Sequence, residues 1–252
     1  MKLWVVEDYQ AMSRRAADVL AREIKRKPDS VLGLATGGTP VGMYQELVRM
    51  HREEGLDFSR VTSFNLDEYV GLPAAHPQSY RTYMEENLFA KVNIDPRMTH
   101  IPRGDAPDLE AECARYEREI ARAGGIDIQV LGIGRNGHIG FNEPGSTAAT
   151  ATRVVQLTRD TVEANARYFD SPDEVPTQAI SMGIRTILAA KRILLLASGS
   201  SKAEAVQRML EGELTPELPA SFLRQHADVT VVMDRQAASR LPAATIAGTA
   251  AD

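Results

Sequence analysis

The stretch SVLGLATGGTP (30–40) decides the architecture. A short apolar run, SVLGLA, breaks into two glycines and then into Thr39-Pro40, a pair suited to the N-cap and first turn of a helix. The next ten residues, VGMYQELVRM (41–50), continue as a helix-like segment. A strand, a glycine turn and a helix start is the repeating unit of parallel α/β proteins. The same unit recurs outward from this point. Apolar runs stand at LWVV (3–6), VTSFNL (61–66), IDIQVLGI (126–133), RILLLA (192–197) and DVTVVM (228–233). Between them lie segments of helical period, in which Met12, Ala16, Val19, Leu20 and Ile24, and then Leu109, Cys113, Tyr116 and Ile120, share a face. That spacing reads Cys113 as core packing. The expected fold is α/β, a Rossmann-like, open, mostly parallel sheet with helices on both faces. The last stretch, QAASRLPAATIAGTAAD (236–252), has no clear period and reads as a loosely held tail.

Composition sets the outer limits. With 252 residues, 43% of them hydrophobic, the chain can bury a substantial core, and we expect one domain over 1–252. A net charge of -5 and the lack of a long basic run argue against nucleic-acid binding. No apolar run is long enough to span a bilayer, and the N-terminal stretch meets charge too early for a secretory signal. One cysteine allows no internal disulfide, so a cytoplasmic setting is the simplest expectation.

In a parallel sheet the ligand binds beyond the carboxyl ends of the strands, so the residues after each run are the candidates. ATGGTP (35–40) offers free backbone N–H groups at a helix start, a natural anion site, although a tight turn alone would also explain it. It lacks the GK[ST] ending of a nucleotide P-loop. SGSSKA (198–203) repeats the layout and adds a cation, Lys202, which read alone is a solvated lysine. NLDEYVGL (65–72) puts Asp67 and Glu68 where a strand opens into a loop, fit for a general base or for an ordinary turn contact. LGIGRNGHIGFNEPGS (131–146) is the richest. Its glycines mimic a dinucleotide fingerprint, but no helix succeeds them, and the fingerprint is rejected. Asn136, His138, Asn142 and Glu143 crowd this loop, and a histidine there is placed to move protons. Two metal-ligating types without a third are too few for zinc. The other histidines, His51, His76, His100 and His226, read mostly as surface residues.

These loops, with HPQSYR, APDLEAECARYE, EANARYFD and VPTQAISMGI, resemble the glucosamine-6-phosphate deaminase family nearly end to end. The resemblance implies conversion of glucosamine 6-phosphate to fructose 6-phosphate and ammonia, with no metal or redox cofactor. It implies Asp67 as the base moving a proton between C2 and C1, and His138 as the ring-opening group, oriented by Glu143 and Asn136. Thr36, Gly37, Gly38, Thr39, Arg167 and Lys202 would hold the phosphate, under a lid spanning about 157–177. Some members carry aspartate at the position of Asn136, which suggests a lower pKa for His138 here. Allosterically activated members have a lysine where this chain has Val155. Ser146 and Arg153 remain, so weak or absent activation by N-acetylglucosamine 6-phosphate is expected. The substrate is the one partner implied, besides a possible second copy in a homo-oligomer. The competing readings are a 6-phosphogluconolactonase on the same fold, and a sugar-phosphate sensor of a transcription regulator. A sensor would need a helix-turn-helix and could dispense with Asp67 or His138.

Overall fold

The structure, a computed structural model, describes residues 1–166, 169–171, 174–243 and 245. The chain opens with β1 (Lys2–Val6), α1 (Tyr9–Arg26), β2 (Val31–Leu34), α2 (Val41–Glu54) and β3 (Thr62–Asn65). It continues through β4 (Asp67–Tyr69), α3 (Tyr80–Asn87), β5 (Thr99–His100), α4 (Leu109–Arg122) and β6 (Ile128–Gly132). The last part holds β7 (Arg153–Gln156), α5 (Arg159–Asn165), β8 (Gln178–Ser181), α6 (Ile184–Leu188), β9 (Ile193–Ala197), α7 (Ala203–Glu211) and β10 (Val229–Asp234).

Seven strands form one parallel sheet in the order β1-β10-β9-β6-β2-β3-β5. The six apolar runs supply six of them. β2, β9 and β10 are buried along their whole length, as strands covered on both faces must be. Asp8 caps α1 by accepting from the Ala11 N–H at 2.8 Å, and the helix buries Met12, Ala16, Val19, Leu20 and Ile24. α4 is capped by Asp108 and buries Cys113, Tyr116 and Ile120.

The strand order places the site. From β2 the chain moves outward to β3 and β5; from β6 it moves the other way, to β9 and β10. Right-handed crossovers then put α1 and α2 on one face and α4, α6 and α7 on the other. β2 and β6 are neighbours at the point where the direction reverses. There the loops after the two strands diverge to opposite faces and leave a crevice.

Four sequence expectations are corrected. A second, antiparallel sheet, β4-β8-β7, sits beside the large one. Asp67 therefore does not open a loop: after β3 the chain changes sheets at Leu66, whose N–H donates to the Leu34 carbonyl at 3.0 Å. Thr39 does not cap α2. Pro40 holds the cap position without a side-chain bond. The Tyr9 hydroxyl takes over, accepting from the Gly42 N–H at 2.9 Å while donating to the Gly38 carbonyl at 3.0 Å. The tail is packed as far as Leu241, with Ala237 and Ala238 buried, because Asp234 accepts from the Ala237 N–H at 2.7 Å and turns the chain back. Residues 246–252 lie outside the described residues. The four remaining histidines are half-buried and engaged. His51 and His226 contact backbone carbonyls, each at 2.7 Å, His100 stacks on Phe64 at 4.5 Å, and His76 accepts from the Gln78 N–H at 3.0 Å.

Candidate active site

A cavity of about 630 Å³ opens over the crevice between β2 and β6. Its wall comes from four strand ends: Ala35 to Thr39 after β2, Leu66 and Asp67 after β3, Gly132 to Asn136, His138, Gly140 and Phe141 after β6, and Lys202 after β9. Tyr80, Thr158 and Thr161 complete it. The structure thus gathers Thr36, Gly37, Gly38, Thr39, Asp67, Asn136, His138 and Lys202 around one space, with Glu143 directly behind. Arg167 lies outside the described residues.

Asp67 is only 6% exposed, and among the described residues nothing donates a hydrogen bond to its carboxylate. Burial, and secondarily the charge of Glu68, pushes its pKa up to about 8. Gly140 lies beside it at φ +56, a backbone conformation that favours glycine, and the position of its missing Cβ is 3.6 Å from Asp67 Oδ2. Glu68, its neighbour in sequence, does different work. It points away to accept from the N–H groups of Tyr69 (2.9 Å), Tyr80 (3.0 Å) and Arg81 (3.1 Å), which pins the start of α3. α3 in turn carries Tyr80 to the cavity.

His138 is held by a relay. Asn136 Nδ2 donates to Glu143 Oε2 at 2.8 Å, which fixes the orientation of the amide. Its Oδ1 then faces His138 Nδ1 at 2.7 Å. An amide oxygen only accepts, so Nδ1 carries the proton and Nε2 is left to exchange protons with a ligand. Glu143 lies 3.6 Å from the same ring nitrogen. Burial alone would raise the Glu143 pKa. Hydrogen bonding and charge from His138, with bonds from Thr161 (2.8 Å) and Asn136, outweigh that and hold it at about 2. Glu143 is a fixed anion at every working pH, and it supplies the negative charge that Asn136 cannot. Gly134 makes the geometry possible, since a Cβ there would meet the imidazole at 2.2 Å. No helix comes after this loop before α5, as a dinucleotide fingerprint would need.

The Lys202 loop is fixed from behind. Gly199 sits at φ +88, and Asp234 accepts from the Ser198 hydroxyl (2.5 Å) and the Gly199 N–H (3.0 Å). Burial, then the nearby Arg135, lowers the pKa of Lys202. The lysine is half-buried. Sequence reading missed Tyr80, Thr158, Thr161, Arg135 and Asp234. Arg135 was within reach, being inside the quoted loop. Asp234 was not, because its partners lie 35 and 36 residues earlier in the chain. Among the described residues no group of three or more His, Cys, Asp or Glu side chains is arranged to hold a metal ion. Among them, no helix is long and apolar enough to cross a membrane.

Known proteins show the same organisation. The chain is 56% identical to a glucosamine-6-phosphate deaminase of Halothermothrix orenii over 241 residues, 96% of this chain and 100% of the relative. It is equally 56% identical to one of Clostridioides difficile, over 96% of this chain and 97% of that one. A solved structure described as a monomeric glucosamine-6-phosphate deaminase superposes with a TM-score of 0.93 at 54% identity, covering 95% of this chain and 99% of that one. A 6-phosphogluconolactonase from Trypanosoma cruzi shares the fold at a TM-score of 0.73 and 21% identity, over 95% and 96% of the two chains. The family described as glucosamine-6-phosphate isomerases/6-phosphogluconolactonase matches residues 7–232, a span that runs from the start of α1 through all four cavity-forming strand ends, and the chain belongs to that family.

Proposed function

We propose that this chain converts glucosamine 6-phosphate and water into fructose 6-phosphate and ammonia. The observation that carries the reading is the presence of two proton-handling groups in the wall of one cavity. Asp67 is a buried carboxyl with no hydrogen-bond donor among the described residues and a raised pKa, and His138 is an imidazole with Nε2 free.

His138 moves a proton from the anomeric hydroxyl to the ring oxygen, and the pyranose opens to the aldehyde. Asp67 takes the proton from C2, now acidic beside the carbonyl; the electron pair forms the C1–C2 double bond while the carbonyl pair moves onto O1, which takes a proton from the C2 ammonium, and an enolamine results. Returning that proton to C1 leaves an imine at C2. Water adds to C2, ammonia leaves, and the ketone remains. The relay through Asn136 to Glu143 stabilises His138 when it holds both protons. In the free protein Asp67 is largely protonated at pH 7. An ammonium on C2 placed against it favours the ionised form that abstracts the proton. The loop Thr36 to Thr39 and Lys202 hold the 6-phosphate, with Arg167 completing the clamp, and this remote binding positions C1 and C2. The stretch 157–177 acts as the lid, and Thr161 ties it to Glu143.

Hydrolysis of a lactone needs no carbon base, so a lactonase leaves the properties of Asp67 unused. A similar solved structure is described as monomeric, which supports action as a single copy, and a sugar-phosphate substrate in a cytoplasmic setting belongs to the same proposal. Val155 lies in β7 among apolar residues, while Arg153 donates to Asn142 (2.8 Å) and Ser146 (3.3 Å). This supports weak or absent activation by N-acetylglucosamine 6-phosphate, and a steep activation curve would refute it. The function is tested by following ammonia and fructose 6-phosphate together in the wild type, Asp67→Asn and His138→Gln. Equal amounts of both products from wild type alone are expected. Folded wild type that releases no ammonia would overturn the assignment.

A further inference from the structure

Arg135 belongs to none of the roles assigned above, yet it lines the cavity. It sits in a tight turn, closed by the Gly137 N–H donating to the Gly134 carbonyl at 3.0 Å and helped by Gly137 at φ +83. The two central residues of that turn are Arg135 and Asn136. Asn136 is tied on both sides, to Glu143 and to His138, so the turn is rigid and Arg135 is carried at a fixed place on the rim. Its guanidinium has no ion pair and no hydrogen bond among the described residues. Other arginines, Arg26, Arg49, Arg97 and Arg115 among them, face carboxylates, and those without an ion pair among the described residues, such as Arg52 and Arg60, do not line the cavity. The charge it does sense is Lys202, another cation on the same wall, which likewise lacks a carboxylate partner among the described residues.

Two like charges facing one cavity without an anion between them oppose each other in the empty protein. They are accounted for once a dianion lies between them. A guanidinium presents a planar fork of donors that matches phosphate oxygens, which the ammonium of Lys202 does not. We propose that Arg135 is a further phosphate-binding cation of this site, beside Lys202 and the Arg167 assigned above, and that it helps to select a sugar carrying a dianionic phosphate. The inference rests on the sugar-phosphate reading of the cavity. It places one specificity residue in the same turn that positions His138, so that phosphate binding bears on the turn which orients the proton-moving group.

The test compares wild type, Arg135→Gln and Arg135→Lys, with inorganic phosphate and glucosamine 6-phosphate as probes. Binding of inorganic phosphate, measured by calorimetry, should weaken about ten- to hundred-fold in Arg135→Gln, the loss of one charge-assisted contact. KM for glucosamine 6-phosphate should rise by a similar factor while kcat stays within about two-fold, the signature of lost uniform binding. Arg135→Lys should recover part of the loss, because it restores charge without the fork. Equal phosphate affinity and equal KM in wild type and Arg135→Gln would overturn the proposal. If wild type released no ammonia, the functional reading would fail, yet the phosphate comparison would still decide the role of Arg135.

Discussion

The two ends of the large sheet treat charge in opposite ways. At the amino ends of the strands, charges are paired. Asp127, just before β6, accepts from Lys27 (2.5 Å), Lys191 (2.7 Å) and the Val31 N–H (2.8 Å), binding the starts of β2, β6 and β9 together. Glu23 bridges Arg26 and Arg192, and Arg192 reaches Asp228 before β10. Burial alone would raise the Asp127 pKa, but these partners lower it. At the carboxyl ends, Asp67 is as little exposed as Asp127 but lies deeper in the protein and has no donor among the described residues, so burial carries its pKa up to about 8. Lys202 and Arg135 share its cavity without carboxylates of their own among the described residues. The two carboxylates thus titrate on opposite sides of their ordinary value, because Asp67 lies deeper and has no donor among the described residues, while Asp127 is held by two lysines and a backbone N–H.

The largest expected effect breaks the ligand end. Asp67→Asn should lower kcat about a thousand-fold, within the range for removal of a general base, while leaving phosphate binding intact. The same substitution should stabilise the protein at high pH. The folded pKa of Asp67 lies above its unfolded value near 4, so its protonated form favours the fold; that contribution is full below about 4 and is lost progressively until pH passes about 8. Wild type and variant should lie closest below about pH 4, where the carboxyl is protonated in both states. By pH 9 the variant should lead by several degrees, at about 2–4 °C per kcal/mol for a chain of this length. Thermal melts across pH check it.

Lys202→Met comes next, with KM for glucosamine 6-phosphate raised about ten- to hundred-fold and kcat little changed. Steady-state kinetics separates the two constants. At the other end, Asp127→Ala should cost about 2–3 kcal/mol in a denaturant titration and leave kcat/KM unchanged. The buried-pair penalty is discounted here because both lysines reach solvent. The depressed pKa means that Asp127 stabilises above its unfolded value near 4, and that support is lost as pH falls toward the folded value. A change in kcat/KM would show that the two ends are not independent. The smallest effect sharpens the relay. Thr161→Val removes one donor from Glu143 and should lower kcat about three- to ten-fold, with the Glu143 pKa raised, as seen by carboxyl NMR.

The same contrast explains what the sequence could reveal. Strands buried on both faces appear as mostly apolar runs, which makes β2, β6, β9 and β10 visible, while β3 is marked by Val61, Phe64 and Leu66, and α1 and α4 show their periods. β5 has two residues and β4 three, too short for any period, so the second sheet was hidden. The position of Asp67 at a strand end was legible; its change of sheet was not, because that depends on β8, more than a hundred residues later in the chain. The His138 relay was readable because its members fall within eight residues. Thr161, Asp234 and Tyr9 act across distances that local patterns do not record. The N-cap expected at Thr39 failed for a tertiary reason, since the Tyr9 hydroxyl supplies the contact that a capping side chain would have made.

The central claim is that Asp67 is held buried and without a donor so that it can transfer the C2 proton. Its carboxyl carbon, monitored by NMR in protein labelled with carbon-13 at aspartate and assigned through Asp67→Asn, gives the direct test. The account predicts a midpoint near 8 in the absence of substrate. A midpoint near 4, the ordinary value of an aspartate in water, would contradict it.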